Sequence, residues 1–139
     1  DRTDSRFRRM IQDTSFIVDL LRGDEDAATL LDVLERDSKP QKVSSVTVLE
    51  LYEGVGRTDT AGDKQERVLA VLDSKAIVAA DETVMRKAGR LSGELIADGA
   101  RIDREDCIIA ATALLADEPV VTRNTAHFER IDGLAVRSY

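Results

Sequence analysis

The chain has 139 residues, of which 42% are hydrophobic and 34% charged, the make-up of one globular domain and not of a disordered segment. No apolar run approaches the roughly 20 residues that cross a bilayer, nothing near the start resembles a signal peptide, and one cysteine, Cys107, leaves no internal disulfide and no thiolate metal site. The net charge of -7 disfavours general phosphate-backbone binding, although a site that holds Mg²⁺ beside phosphates needs clustered acids of its own. A cytoplasmic protein without a membrane partner is the expectation.

The first nine residues, DRTDSRFRR, read as an N-terminal extension or cloning remnant, and residues 10–139 as one domain. MIQD (10–13) is a predicted strand, followed by a helix over TSFIVDLLRG that stops at Gly23. DEDAATLLDVLERDSK places Leu30, Leu31 and Leu34 at helical spacing behind an acidic start. After Pro40 come a strand in KVSSV (42–46) and a helix in TVLELYEGVGR. DKQERVLAVLD (63–73) is helical, AIVAA (76–80) a strand, and DETVMRKAGRLSGELIAD a long helix ending at Gly99. IDREDCIIAATAL gives another helix, PVVT (119–122) a strand opened by proline, and LAV (134–136) a last strand. Strands alternating with helices, with no two-residue hairpin signal, predict an α/β fold whose parallel sheet is covered by helices on both faces. In such sheets ligands bind beyond the carboxyl ends of the strands.

The strand-to-helix junctions carry Asp13, Glu50, Asp103, Asp106 and Asn124. Each has an ordinary alternative. Asp13 and Asp103 could cap helices, Thr47 and Glu50 form a capping-box pattern, and Asn124 could be a turn residue. Helical spacing from Asp106 reaches Ile109, Ala110, Ala113 and Leu114, an apolar stripe, so this acid heads towards the sheet, where an unpartnered charge is costly. From Glu50 the same spacing meets Glu53, Gly54 and Arg57, a cleft-facing side with a glycine that admits close approach. Carboxylates gathered in one crevice stay ionised together only with cations among them, and hard oxygen donors suit Mg²⁺ or Mn²⁺. Zinc is not indicated, since there is one His and one Cys. His127, the one imidazole, reads as a surface or cleft-edge residue of a short helix rather than the base of a serine triad. A pair of such cations about 3.5–4 Å apart can activate water against a phosphodiester.

MIQDTSFIVDLLRG, SSVTVLELYEG, DREDCIIAATAL and VVTRNTAHFERIDGLAV, in this order, resemble the PIN-domain ribonucleases of the VapC toxin type from Met10 nearly to the end. The resemblance implies a three-layer α/β/α fold with a central parallel sheet. It implies Mg²⁺- or Mn²⁺-dependent endoribonuclease activity on an RNA substrate, leaving a 5′-phosphate and a 3′-hydroxyl, a VapB-type antitoxin as partner, and a homodimer. It puts the site's acids at Asp13, Glu50 and Asp106, with Asn124 at a fourth position that is often Asp, and Asp103 where some relatives carry an additional acid. Thr14, Ser15 and Thr122 match hydroxyls that support the first and fourth positions, each with a capping alternative. Arg22, Arg104 and Arg123 are candidate phosphate contacts, since guanidinium suits phosphate geometry. Asp103 stays open between cap and ligand.

Rival readings need other residues. A phosphatase of the haloacid-dehalogenase kind needs an Asp where Ser15 stands, and a receiver domain needs a lysine at a strand end that is not found. A decayed module that keeps only dimerisation and partner binding would be supported by Asn124 alone.

Overall fold

The structure, a computed structural model, describes residues 9–36 and 41–139. The expected extension therefore lies almost wholly outside the described residues, as do Pro40 and the last residues expected of the second helix. Strands β1 (Ile11–Gln12), β2 (Gln41–Ser44), β3 (Lys75–Val78), β4 (Val120–Val121) and β5 (Val136–Arg137) form one sheet. Helices α1 (Thr14–Leu21) and α2 (Glu25–Glu35) join β1 to β2, and α3 (Ser45–Gly56) and α4 (Ala61–Asp73) join β2 to β3. Helices α5 (Glu82–Ala97) and α6 (Arg104–Ala116) lead to β4, and α7 (Thr125–Phe128) to β5.

The strand order is β3-β2-β1-β4-β5 and every pairing is parallel. Ile11 stands opposite Lys42 on one side and Val120 on the other, so β1 is central. The chain builds outward from β1 through β2 and β3, then crosses back to add β4 and β5. This reversal places the topological switch between β1 and β4, where parallel sheets open a crevice at their carboxyl edge.

Both faces of the sheet are covered, giving the three layers. Ile11 and Val120 turn to a core with Val84, Ala88 and Leu95 of α5, Ile109 and Ala110 of α6, and Phe128 of α7. Met10 and Val121, their neighbours along the strands, turn to the opposite core with Phe16, Ile17, Leu30, Leu34, Leu51 and Val68 from α1 to α4. The side-chain alternation of a strand thus divides even these short pieces between two cores. Cys107 is buried in the first, as a small core residue.

Several boundaries shift by one or two residues, β3 running over Lys75–Val78 where 76–80 is expected and α4 starting at Ala61 where 63 is expected, and two of the shifts have a clear cause. The strand expected over KVSSV covers residues 41–44, because Ser44 accepts a hydrogen bond from Val46 N at 3.1 Å and starts α3 at Ser45. Thr47 is consequently a fully buried residue inside the helix, and its proposed capping box with Glu50 does not form. The last strand lies at Val136–Arg137, because Val136 and Arg137 are the residues opposite Val120 and Val121.

Candidate active site

A cleft of about 230 Å³ opens at the switch point, lined by Asp13, Thr14, Ser15, Arg22, Glu50, Asp103, Asp106, Arg123, Asn124 and His127. Nearly every residue expected in the site from sequence is there. Two are not: Thr122 is fully buried behind the cleft, where it donates to Asp13, and Arg104 lines a separate groove between α5 and α6 with Met85 and Cys107, because one residue's step along α6 turns it away from Asp103.

Asp13 is at once the last residue of the strand ladder and the first of the helix. Its N–H donates to Val121 O at 2.9 Å, while its carbonyl accepts from Phe16 N at 3.0 Å. With no loop between strand and helix, the side chain must emerge at the carboxyl edge of β1. It is 2% exposed, and its Oδ2 accepts from both Ser15 Oγ and Thr122 Oγ1, each at 2.7 Å. Those hydroxyls in turn accept from the backbone: Ser15 Oγ from Arg123 N at 3.1 Å and Thr122 Oγ1 from Asn124 N at 2.9 Å. The β4–α7 loop is thereby tied through two hydroxyls to a single carboxylate oxygen, and each hydroxyl spends its one proton on that oxygen.

The helix-capping alternatives can now be decided. Asp24, Ser44 and Asp81 occupy N-cap positions and accept from Ala27 N, Val46 N and Val84 N at 2.9, 3.1 and 3.0 Å. Asp13, Asp103 and Asn124 also occupy N-cap positions, yet none makes a side-chain capping bond. The cleft's N-cap residues are thus withheld from capping, as is Thr60 of α4 outside the cleft, which leaves helix-terminal N–H groups unsatisfied by their natural partner.

Glu50 projects from the second turn of α3 and accepts from Thr14 Oγ1 at 2.7 Å. Thr47 Oγ1 lies 3.0 Å from the same hydroxyl, whose single proton favours the carboxylate. Burial pushes the Glu50 carboxyl up to about 7, the Thr14 bond opposes this, and the charges of Asp13, Asp106 and Glu105 add to it. Asp106 is pushed up to about 6, by burial first and by Asp13 next, against the hydrogen bond and charge of His127. His127 Nδ1 stands 3.1 Å from Asp106 Oδ2. Asp13, Glu50 and Asp106 therefore lie within electrostatic reach of one another although they are far apart in sequence.

Sequence reasoning left His127 at the cleft edge without a role and overlooked Asp19. His127 lies three residues beyond Asn124, which puts both on one side of a single turn, a signal that spacing carries. Asp19, 5% exposed in the apolar run FIVDLL, pairs with the Arg123 guanidinium and accepts from the Tyr139 hydroxyl. A buried acid among apolar residues implies a cationic partner, but which one is set by the tertiary fold. Burial and the Asp19 acceptor raise the Tyr139 phenol, so it remains a donor.

The donor set is carboxylate oxygen, an amide and one imidazole, without thiolate, which suits a hard divalent cation such as Mg²⁺ or Mn²⁺. Among the described residues no three His, Cys, Asp or Glu side chains already enclose one point, so holding an ion requires side-chain adjustment. Two features fit the ion. Asp13 is fixed through one oxygen only, and Glu50 and Asp106 bear charge that their surroundings do not balance.

The PIN domain family matches residues 10–134. Ribonuclease VapC19 of Mycobacterium tuberculosis is 32% identical over 116 residues, which are 84% of this chain and 89% of the relative. Among solved structures, VapBC2 from Rickettsia felis bound to a DNA fragment from its promoter matches with a TM-score of 0.85 at 23% identity, over 94% of this chain and 98% of that one, a likeness of fold. VapBC-5 from Mycobacterium tuberculosis, a member of the VapBC family of toxin-antitoxin systems, matches with a TM-score of 0.68 at 25% identity, over 94% and 97%.

Proposed function

The chain belongs to the PIN-domain family, with its kinship among the ribonucleases named VapC, and from that premise we propose that it is a cytoplasmic, Mg²⁺- or Mn²⁺-dependent endoribonuclease, a toxin restrained by a VapB-type antitoxin. The observation that carries this reading is the meeting of Asp13, Glu50 and Asp106 in one crevice at the switch point, two of them with carboxyls raised by burial and mutual charge. Asp13, Glu50 and Asp106 would hold the cation, with Asp103 at the rim as a further oxygen donor. Bound there, a divalent ion supplies a more acidic attacking water and a counter-charge for the leaving oxygen.

The protein's own groups do the rest. Ser15 and Thr122 hold Asp13 in a fixed orientation, and orientation of a ligand by its hydrogen-bond partners governs affinity. Thr14 does the same for Glu50, and His127 for Asp106. Asn124 offers amide donors without a charge, and cannot act as a base. Arg123, braced by Asp19, and Arg22 set guanidinium groups at the rim, where phosphate oxygens of the RNA would pass. An antitoxin side chain carrying positive charge would compete for the same carboxylates, and a second copy of the chain would complete a homodimer.

The test is cleavage of a mixed, labelled RNA pool with Mn²⁺ or Mg²⁺ by the protein and by its Asp13→Asn and Asp106→Asn forms. Metal-dependent cutting by the parent, reduced to background in both variants, is expected. Cutting that survives either substitution, or persists in chelator, would place the chemistry elsewhere.

A further inference from the structure

A second cavity, of about 190 Å³, adjoins the acid cleft and shares Val18, Arg22 and Glu50 with it. Its remaining walls are Leu21 of α1, Leu51 and Gly54 of α3, and Lys64 and Arg67 of α4. Three cations therefore face one acid, in a chain whose net charge is -7. Neither the Arg22 guanidinium nor the Lys64 ammonium has an ion-pair partner among the described residues, while Arg67 donates to the carbonyl of Leu21. A Cβ built at Gly54 would meet Lys64 Nζ at 3.1 Å, so the glycine leaves room for the ammonium to lie against α3.

We propose that this cavity is a phosphate subsite for the RNA strand next to the bond being cut, with Lys64, Arg67 and Arg22 as its contacts. The proposal rests on the ribonuclease reading. Its volume is below the roughly 300–1,000 Å³ of ordinary small-molecule pockets, which suits one phosphate and part of a sugar rather than a separate ligand. Continuity decides the occupant: a polyanion lying across Asp13, Glu50 and Asp106 meets repulsion there and must be held by cations on either side. Arg123 lies by the β4 loop and the Lys64 cavity beyond Glu50, so the two sets of cations flank the acids. Leu21 and Leu51 add an apolar wall against which a ribose or base can rest.

The experiment titrates a fluorescein-labelled single-stranded RNA pool with the full chain in chelator, at several salt concentrations, following anisotropy. The parent is compared with Lys64→Gln and with Arg86→Gln, a control that removes the same charge from the exposed Arg86–Glu82 pair on α5. Circular dichroism checks that each is folded. Phosphate contacts are read without regard to sequence, so a mixed pool suffices, and losing one makes the log–log salt dependence shallower by about 0.7. That change in Lys64→Gln, with Arg86→Gln parallel to the parent, is the expected result. Equal slopes in parent and Lys64→Gln, an equal change in both variants, or no binding by the parent at low salt would overturn the subsite. Displacement of the RNA by polyglutamate at matched charge, in the parent but not in Lys64→Gln, would also overturn it in favour of an acidic peptide. The same proteins are assayed for cleavage with Mn²⁺. A Lys64-dependent slope without cutting would remove the ribonuclease reading and leave an RNA-binding cavity, whereas cutting with unchanged slopes would do the reverse.

Discussion

At the scale of single residues, the site depends on hydroxyl groups as much as on carboxylates. Thr122 is fully buried, donates to Asp13 and accepts from the backbone of Asn124, so it fixes a ligand and a loop at once. Thr122→Val keeps the shape and removes both bonds. Because the lost donor leaves the buried Asp13 carboxylate one hydrogen bond short, stability should fall by about 1–3 kcal/mol. The loss of ligand orientation should also weaken Mn²⁺ affinity about 10–100-fold. Urea denaturation in chelator measures the first and a Mn²⁺ titration of the melting temperature the second. A stability loss with unaltered metal affinity would reduce Thr122 to a structural residue. His127 offers a related check, since it opposes the rise of the Asp106 carboxyl. In His127→Ala that carboxyl should titrate above its present value of about 6, read by carbon NMR of the metal-free protein. An unmoved or lowered titration would show that the imidazole does not act on Asp106.

Elements decide how much of this could be seen in the sequence. Asp13 was legible because it sits where a strand pattern gives way to a helix pattern, and Glu50 and Asp106 because spacing along one helix fixes the side on which a residue lies. The strand-to-helix junction expected at Asp103 and Asp106 has no strand, since α6 follows α5 directly. The parallel topology followed from the alternation of the elements. What stayed hidden depends on how helices meet. The pairing of Asp19 with Arg123, and the approach of Lys64 to Gly54, arise between α1 and the β4 loop and between α3 and α4. No local period encodes either. The capping question was equally undecidable from spacing, since Ser44 and Thr47 both suit a cap and only the end of the β2 ladder selects Ser44. That junction carries a prediction of its own. Ser44 is fully buried and starts the helix that presents Glu50, so Ser44→Ala should cost about 1–2 kcal/mol. A cost near zero in thermal denaturation would show that α3 is placed by packing alone.

For the molecule as a whole, gathering like charges at the switch point sets function against stability. The Glu50 carboxyl rises from 4.5 to about 7 on folding, so between those values the native state binds more protons than the unfolded chain. Where the native state binds more, stability falls as pH increases, and above about 7 the whole penalty is in place. Asp106 acts in the same sense between 3.8 and about 6, and because its charge also raises Glu50 the two effects do not add. Glu50→Gln keeps an acceptor for Thr14 and removes the charge. In chelator it should therefore be more stable than the parent above about pH 7, by on the order of 1–2 kcal/mol after allowance for solvent screening, with the difference vanishing below about pH 4.5. Saturating Mn²⁺ should reverse the order, because a ligand that binds only the native state stabilises most the protein that binds it best. Thermal denaturation of both proteins across pH, with and without Mn²⁺, reads the crossing. If the variant is less stable in chelator at high pH, the acids are balanced by interactions within the protein. If it gains as much from Mn²⁺ as the parent, Glu50 is no ligand.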